Sequence, residues 1–484
     1  MNTKRIIAKN TSVLGAAKAI SMILGLILAI FIARFIGDAN LGKLGFAQSF
    51  TAILVIFADI GLSSVTVREI ARDKELTSKY LGNIFIIKLI FSIGTLGLIV
   101  LIINLMHYPA DTTKVVYLIG LSSILGTFSE FLRSIFRAFE KMEFEAFLNV
   151  GKSIITTGVG LLILFLGYGL IAVALVYLFA GIIDIFATSL VTVRRFARPK
   201  LEFDFKFWKQ IIILALPFSL TAFIGLIYHY IDIVMLSIMK GDSPAGWYKA
   251  ACTPIYGSVI IPDIFGFAIF PVMSRFYISS KNALKTTVQK SAKYLFTISL
   301  PITIGTILLA DRIILLFYGK SFIASIIALQ ILSLYLPLRF INHVTGYTLS
   351  SIDKQPLRAF SATIAAVTNI ILNLFLIPRY SLAGAAIATV ITEVILFVSY
   401  YHFVAKHFLR LNLRQILAKP CLSCVPMGTF IFYSKNANLF ILIVSAIVIY
   451  FAVFYLLGGV DQEDKAIFSS IMKYNLDYER KQND

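Results

Sequence analysis

The sequence predicts an all-α polytopic membrane protein with about 14 transmembrane helices, arranged as two pseudo-symmetric six-helix lobes plus two C-terminal helices. Three observations lead to this fold class. Hydrophobic residues make up 58% and charged residues 14% of the 484 positions, and the mean hydropathy is +0.87. Apolar runs of about 20 residues recur, each long enough to cross roughly 30 Å of hydrocarbon. Finally, parts of the chain repeat one another.

Fourteen apolar runs are interpreted as spans. Their centres lie near residues 23, 54, 94, 126, 157, 181, 224, 260, 304, 337, 368, 394, 427 and 448. The thirteenth is the shortest and contains Pro420 and Pro426. Because proline removes a helical hydrogen bond, a re-entrant or broken helix is the alternative there.

The positions of the basic residues predict the orientation in the membrane. The net charge is +19, and 31 of the 44 Lys and Arg residues fall at the N-terminus, in every second connection and in the tail. Cytoplasmic connections carry such an excess. We therefore expect a multi-pass protein of the cell membrane with both termini in the cytoplasm, and the charge does not indicate nucleic-acid binding.

Two pairs of segments resemble one another within the chain. GDANLGKLGFA at 37–47 resembles GDSPAGWYKAA at 241–251, and GYGLIAVALVY at 167–177 resembles RYSLAGAAIAT at 379–389. The offsets of 204 and 212 residues map spans one to six onto spans seven to twelve. Since six is even, the axis relating the copies runs along the membrane normal, and a cavity is expected between the lobes.

The predicted domains follow from this repeat. They are an N-lobe at 1–205, a C-lobe at 206–408, and the last two spans with a cytoplasmic tail at 409–484. In the tail, Ile467, Ile471 and Met472 have helical spacing, which indicates a short helix on the membrane surface. Three cysteines are too few for a disulfide framework, and no metal site or cofactor is implied.

Four stretches carry a resemblance to a known family. They are LGLILAIFIARFIGDANLGKLGFAQSF at the first hairpin, DIGLSSVTVREIAR after the second span, FPVMSRFY closing the eighth, and NIILNLFLIPRYSLAGAAIAT across the eleventh and twelfth. In this order the chain resembles the polysaccharide branch, the Wzx-type O-antigen flippases, of the multidrug/oligosaccharidyl-lipid/polysaccharide (MOP) exporter superfamily. The related lipid II flippases carry an adjacent Arg-Asp pair in the first span, where this chain has Leu28 and Ala29, so that substrate is disfavoured.

The resemblance implies a flippase for polysaccharide biosynthesis. Its substrate would be a polyprenyl-phosphate- or pyrophosphate-linked oligosaccharide, moved from the cytoplasmic to the outer leaflet of the bilayer, with glycan-assembly enzymes as further partners. A multidrug or cation antiporter of the same fold is the alternative. A membrane polymerase or ligase is disfavoured because the outer connections are too short to hold catalytic residues. We therefore expect a transporter and not an enzyme.

Charged side chains inside the membrane are costly, and so they are the candidates for substrate contacts. Arg339 is the first candidate for a phosphate contact, since guanidinium binds phosphate through a planar fork; pairing with a carboxylate such as Glu393 is its alternative. The other substrate-binding candidates are Lys18, Arg34, Lys88, Asn342 and His343. For Arg34 an interfacial anchor, and for the lysines snorkelling to the surface, are equally compatible with the sequence.

Intramembrane acids are the candidates for coupling transport to H⁺ or Na⁺. They are Asp263, Glu393, Asp59 and Asp232. Pairing with a nearby Lys or Arg explains each of them as well. Asn369 and Asn373, one turn apart on the eleventh span, are interpreted as hydrogen-bonding contacts between helices.

Overall fold

The described part of the chain folds into helices joined by short connections. The computed structural model describes residues 3–200, 202–462 and 464, among which there is no strand. The α-helices of the described residues are α1 (Thr3–Leu54), α2 (Ile56–Asp59), α3 (Leu62–Arg72), α4 (Thr77–Leu105), α5 (Ala110–Ala138), α6 (Met142–Phe165), α7 (Leu170–Arg195), α8 (Phe205–Lys240), α9 (Asp242–Ser258), α10 (Ile260–Ser279), α11 (Lys281–Phe317), α12 (Ser325–Ser333), α13 (Tyr335–Ser351), α14 (Gln355–His407), α15 (Leu413–Tyr433) and α16 (Leu439–Leu456). We call α1–α7 the N-half and α8–α14 the C-half.

Twelve helical segments of the described residues are long and apolar enough to cross a membrane. Two of them are far too long for one crossing: the first covers 47 residues and ends at Asp59, and another covers all 53 residues of α14. The first is interrupted at Gly37 and the second at Ser381, where the backbone leaves helical geometry. Each therefore carries two spans, which confirms the predicted total of about fourteen. The thirteenth span, α15, is a continuous helix through Pro420 and Pro426.

Successive spans alternate in direction, which gives the molecule two faces. We call the face at which α1 begins the inner face and the opposite one the outer face. The turns at Gly37 and Gly241 both lie at the outer face. Their backbones are alike, with φ 79° and ψ 177° at Gly37 and φ 86° and ψ −169° at Gly241, a left-handed φ that favours glycine.

The two copies of this repeated motif pack directly against each other. A Cβ added to Gly42 would lie 1.8 Å from the carbonyl oxygen of Asp242, and one added to Gly246 would lie 2.0 Å from the carbonyl oxygen of Asp38. Helices in lipid associate through such close approaches of small residues. The repeat thus builds a reciprocal backbone contact that joins the two halves at the outer face.

Three apolar clusters hold the helices together. The largest contains side chains of both halves, such as Phe46 and Tyr248. A second, at the inner face, packs the first turns of α8 against the N-half through Ile211. The third joins α15 and α16 to α11, where the hydroxyl of Tyr450 donates to the carbonyl oxygen of Thr297 at 2.8 Å. The lobe boundaries at 205 and 408 stay predictions.

The start of the tail contacts the inner end of α11. Lys293 donates to Asp464 at 2.6 Å and to Asp461 at 3.1 Å, and the hydroxyl of Tyr294 donates to Asp464 at 2.5 Å. Burial alone would raise the pKa of Asp464, but the hydrogen bonds from Lys293 and Tyr294 hold it well below its usual value. The predicted surface helix with Ile467, Ile471 and Met472 lies outside the described residues.

Candidate functional site

A cavity of about 780 Å³ runs through the C-half from the inner face to mid-membrane. Its inner end is lined by Gln355 and Arg358 at the start of α14, and its deep end by Arg339 and Tyr228. Between them lie His229, Tyr347, Ser350 and Tyr400. Among the described residues that line it there are two arginines and no carboxylate. The cavity is therefore positively charged, with aromatic walls.

A second cavity, of about 730 Å³, lies between the halves near the inner face. It is lined by Lys18, Arg137, Glu145 and Lys152 of the N-half and by Phe267 of α10. The sequence predicted one chamber between the lobes, whereas the structure has this cavity between the halves and the larger one within the C-half.

Lys18 and Asp263 form the ion pair that links the two halves. The Nζ atom of Lys18 lies 2.5 Å from Oδ2 of Asp263, and it also lies 5.7 Å from the ring centre of Phe267. His343 approaches from α13, with Nε2 3.6 Å from Oδ1 of Asp263. The sequence assigned Lys18 and His343 to substrate binding and Asp263 to ion coupling, and the structure brings all three together.

Arg339 lies at the deep end of the C-half cavity. Its Nη1 atom is 3.7 Å from Oε1 of Glu393, and 27% of its side chain is exposed. Glu393 is fully buried and accepts hydrogen bonds from the hydroxyl of Tyr228 at 2.5 Å and from Nδ2 of Asn342 at 2.8 Å. The pairing with Glu393 is thus present, and Arg339 still faces the cavity, with its Nε atom free of any hydrogen-bond partner.

Three predicted residues lie away from the C-half cavity. Arg34 donates to the carbonyl oxygen of Phe317 at 2.8 Å and to that of Leu316, at the outer end of α11. Lys88 is fully buried and lies 2.5 Å from Asp59, which also accepts from the hydroxyl of Ser63. The Arg34 contacts fit the alternative of an anchor at the outer end, and Asp59 has the lysine partner that was its alternative. Lys88 does not reach the surface by snorkelling, since it is fully buried beside Asp59.

Asp232 lies in a fully buried polar site in the outer half of the C-half. Its carboxylate accepts from Nδ2 of Asn373 and Oγ1 of Thr389, each at 2.6 Å, and from the hydroxyl of Tyr248 at 2.9 Å. No cation among the described residues pairs with it. The Oδ1 atom of Asn373 has no hydrogen-bond partner among the described residues. The site therefore combines a carboxylate with an unsatisfied amide oxygen, the ligand type of hard cations.

Two cations of the C-half are not predicted as site residues by the sequence: Arg358 at the C-half cavity and Lys249 at the contact between the halves. Arg358 was counted only among the basic residues of a connection, but it lies one turn inside α14 and lines the cavity. Lys249 occupies the position in the second motif that Gly45 occupies in the first. This departure from the repeat was the available signal for Lys249, and no sequence signal marked Arg358.

Comparisons with known proteins agree with this architecture. The family model described as "Polysaccharide biosynthesis protein" matches residues 7–277, and the MatE model matches residues 217–375. The "Probable low-salt glycan biosynthesis flippase Agl15" of Haloferax volcanii is 25% identical over 380 residues, 78% of each chain. The "Putative O-antigen transporter" of Shigella flexneri is 24% identical over 375 residues, 74% of this chain and 88% of the relative.

Solved structures of similar fold cover most of the chain. The lipid II flippase MurJ in an inward closed conformation has a TM-score of 0.77 at 20% identity, covering 96% of this chain and 99% of that one. An inward-facing multidrug resistance MATE transporter of the MOP superfamily has a TM-score of 0.67 at 18% identity, covering 80% and 95%. At these identities the likeness shows the fold alone. The family match over more than half of the chain confirms the resemblance found in the sequence, and the protein belongs to the polysaccharide biosynthesis family within the MOP exporter superfamily.

Proposed function

We propose that this protein flips a polyprenyl-phosphate- or polyprenyl-pyrophosphate-linked oligosaccharide across the cell membrane, from the cytoplasmic to the outer leaflet. The observation that carries the proposal is the lining of the C-half cavity, with two arginines and no carboxylate among its described residues. Such a lining attracts an anionic headgroup, whereas a cavity for cationic drugs requires acids. The names of the relatives, a glycan biosynthesis flippase and an O-antigen transporter, support the same substrate class.

The mechanism we propose is alternating access. The halves meet at the outer face through Gly42 and Gly246, and the C-half cavity opens at the inner face, which the basic connections assign to the cytoplasm. Phosphate binds Arg339, sugar rings lie against the tyrosines, and the polyprenyl chain stays in lipid. Separation of the outer contact and closure of the inner face then release the headgroup outside.

The Asp232 site is our proposal for ion coupling. It is fully buried, lies in the half that holds the cavity and has no cationic partner among the described residues. Either Na⁺ bound by the carboxylate and amide oxygens or a proton on the carboxyl group neutralises it. Asp263, Glu393 and Asp59 are less suitable, because each already lies within 4 Å of a Lys or Arg nitrogen.

Flipping of a fluorescent lipid-linked oligosaccharide in proteoliposomes tests the substrate proposal. Arg339→Ala should abolish flipping. The control Arg275→Ala removes a charge whose partner among the described residues is the ring of Phe276, and it should preserve flipping. Native-like flipping by the Arg339 variant, or transport of a cationic dye in place of the lipid, contradicts the proposal.

The same proteoliposomes test the coupling proposal. A Na⁺ or pH gradient should accelerate flipping by the native protein, and whichever gradient acts identifies the ion. Asp232→Asn should flip at a rate that no longer responds to that gradient. A native-like response in Asp232→Asn excludes this residue as the coupling site.

A further inference from the structure

Two cations of the C-half lie where their charge can meet a substrate, one in the lining of the cavity and the other at the contact between the halves. Lys18, Lys88, Arg133 and Arg339 each lie within 4 Å of a carboxylate oxygen. Arg358 and Lys249 have no carboxylate partner among the described residues. An unpaired charge away from water is expensive, and in membrane proteins it marks a pathway for substrate or ion.

Arg358 is held at the inner mouth of the C-half cavity by neutral groups. Its Nη1 atom donates to the hydroxyl of Ser350 at 3.0 Å, and its guanidinium carbon lies 5.4 Å from the ring centre of Tyr347. A Cβ added to Gly346 would lie 3.4 Å from the Nε atom of Arg358, so the absence of a side chain at Gly346 leaves room for the guanidinium. These contacts orient Arg358 and leave its charge uncompensated.

Lys249 lies at the closed outer contact between the halves. A Cβ added to Gly45, which is the residue equivalent to Lys249 in the repeat of the N-half, would lie 3.5 to 3.6 Å from the aliphatic carbons of Lys249. It has no hydrogen bond or ion pair from its ammonium group among the described residues. When the halves part at the outer face, this is a cation that the separation exposes.

These residues are too far apart to hold one phosphate at the same time. The partners of Arg358 on α13, residues 346–350, lie 7 to 11 residues beyond Arg339, or about 10 to 16 Å at 1.5 Å per residue. On the outer side, Lys249 precedes Tyr256 by seven residues, about 10 Å. Tyr256 contacts Tyr335, and the ring centre of Tyr335 lies 5.9 Å from the guanidinium carbon of Arg339. Arg358, Arg339 and Lys249 therefore lie at three successive depths.

We infer that Arg358 and Lys249 are the inner and outer phosphate contacts of the transport path, with Arg339 between them. The inference rests on the proposed function and adds two specificity-determining residues to it. The phosphate of the headgroup is captured from the cytoplasmic side by Arg358, reaches Arg339 in the cavity, and meets Lys249 once the outer contact has opened. Arg358 then governs affinity in the inward state, and Lys249 governs turnover.

Binding of farnesyl diphosphate to the purified full-length protein in nanodiscs tests Arg358 without any flipping. Arg358→Gln should weaken this binding at least tenfold, and Arg358→Lys should restore part of it. Arg275→Gln is the matched control and should bind as the native protein does, while uncharged farnesol should not distinguish the variants. Native affinity in Arg358→Gln overturns the inner contact. Failure of the native protein to flip a lipid-linked sugar is a separate result, which contradicts the proposed function.

Initial flipping rates at varied substrate separate the two residues. Arg358→Gln should raise KM with little change in maximal rate, because it acts before the halves move. Lys249→Gln should lower the maximal rate about tenfold and leave farnesyl diphosphate binding unchanged. A native maximal rate in Lys249→Gln overturns the outer contact. Thermal midpoints of both variants within a few degrees of the native value exclude misfolding as the cause.

Discussion

The two halves share one fold but differ in how their buried charges are compensated. In the N-half, Lys88 pairs with Asp59, Arg133 and Lys152 both pair with Asp184, and Arg137 pairs with Glu130 and Glu145. In the described part of the C-half and its surroundings, Asp232 has only neutral partners, and Arg358 and Lys249 have no carboxylate partner. These N-half cations all have carboxylate partners in their own half, whereas the C-half has the pair of Arg339 with Glu393 and also leaves charges of both signs without an ionic partner among the described residues.

This difference indicates a division of roles between the duplicated halves. A closed ion pair fixes helices relative to each other, because removing either partner leaves an unpaired charge in a dry environment. An unbalanced charge gains its compensation when an ion or a substrate arrives. The N-half is therefore expected to move as a rigid body, and the C-half to bind the cargo.

The largest effect is expected from breaking the buried triad of the N-half. Asp184→Asn leaves Arg133 and Lys152 without a carboxylate, which should cost about 3 to 5 kcal/mol of stability. The thermal midpoint in detergent measures the loss. The double variant Arg133→Met with Asp184→Leu should recover much of it, and a native midpoint in Asp184→Asn contradicts a structural role for the triad.

The next effect concerns the feature that the halves do share. Gly42→Ala and Gly246→Ala each place a methyl group within 2.0 Å of a backbone carbonyl oxygen of the other half. Each should destabilise the protein by about 1 to 3 kcal/mol or more, as overpacking does, and the two losses should be similar. Gly25→Ala is the control, since nothing lies within 4 Å of its Cβ position. Unequal losses imply that the contact is not reciprocal.

Asp232→Asn should destabilise the C-half much less than Asp184→Asn destabilises the N-half. It removes a charge without leaving an unpaired cation among the described residues, so only altered hydrogen bonds remain, worth about 1 kcal/mol. Comparison of the two thermal midpoints in the same detergent provides the measurement. A loss as large as that of Asp184→Asn indicates that Asp232 is as structural as the N-half pairs.

The smallest effect is expected outside the membrane, at Asp464. Asp464 is buried, and Asp464→Asn weakens its hydrogen bonds from Lys293 and Tyr294, which should cost about 1 kcal/mol at neutral pH. Because the folded pKa is lowered, the contribution is complete above the unfolded pKa of about 3.9 and decreases as the pH falls towards the folded pKa. The difference in thermal midpoint between native protein and variant should therefore narrow between pH 5 and pH 3. If the difference in thermal midpoint between native protein and variant stays constant over this pH range, the ionised carboxylate of Asp464 is not its cause.

Most of the fold could be predicted from the sequence, because bilayer thickness fixes the length of an apolar run and the repeat fixes the relation between the halves. The pairing of Arg339 with Glu393 was also foreseen as an alternative, since a mid-membrane charge needs a partner. Lys18 and Asp263 are 245 positions apart, and only packing shows that they meet. The acceptors of Arg34 are backbone carbonyls, which leave no trace in the residue pattern.

The contact between Gly42 and Gly246 has an evolutionary consequence. After a duplication, paired positions usually diverge together, since enlargement of one side chain is balanced by reduction of the other. Here each glycine contacts the backbone of the other half, and every amino acid has that backbone. No substitution at the opposite position can therefore make room for a larger side chain. Each glycine is therefore constrained independently of the other. In relatives that have a larger residue at either position, the two helices should be spaced farther apart.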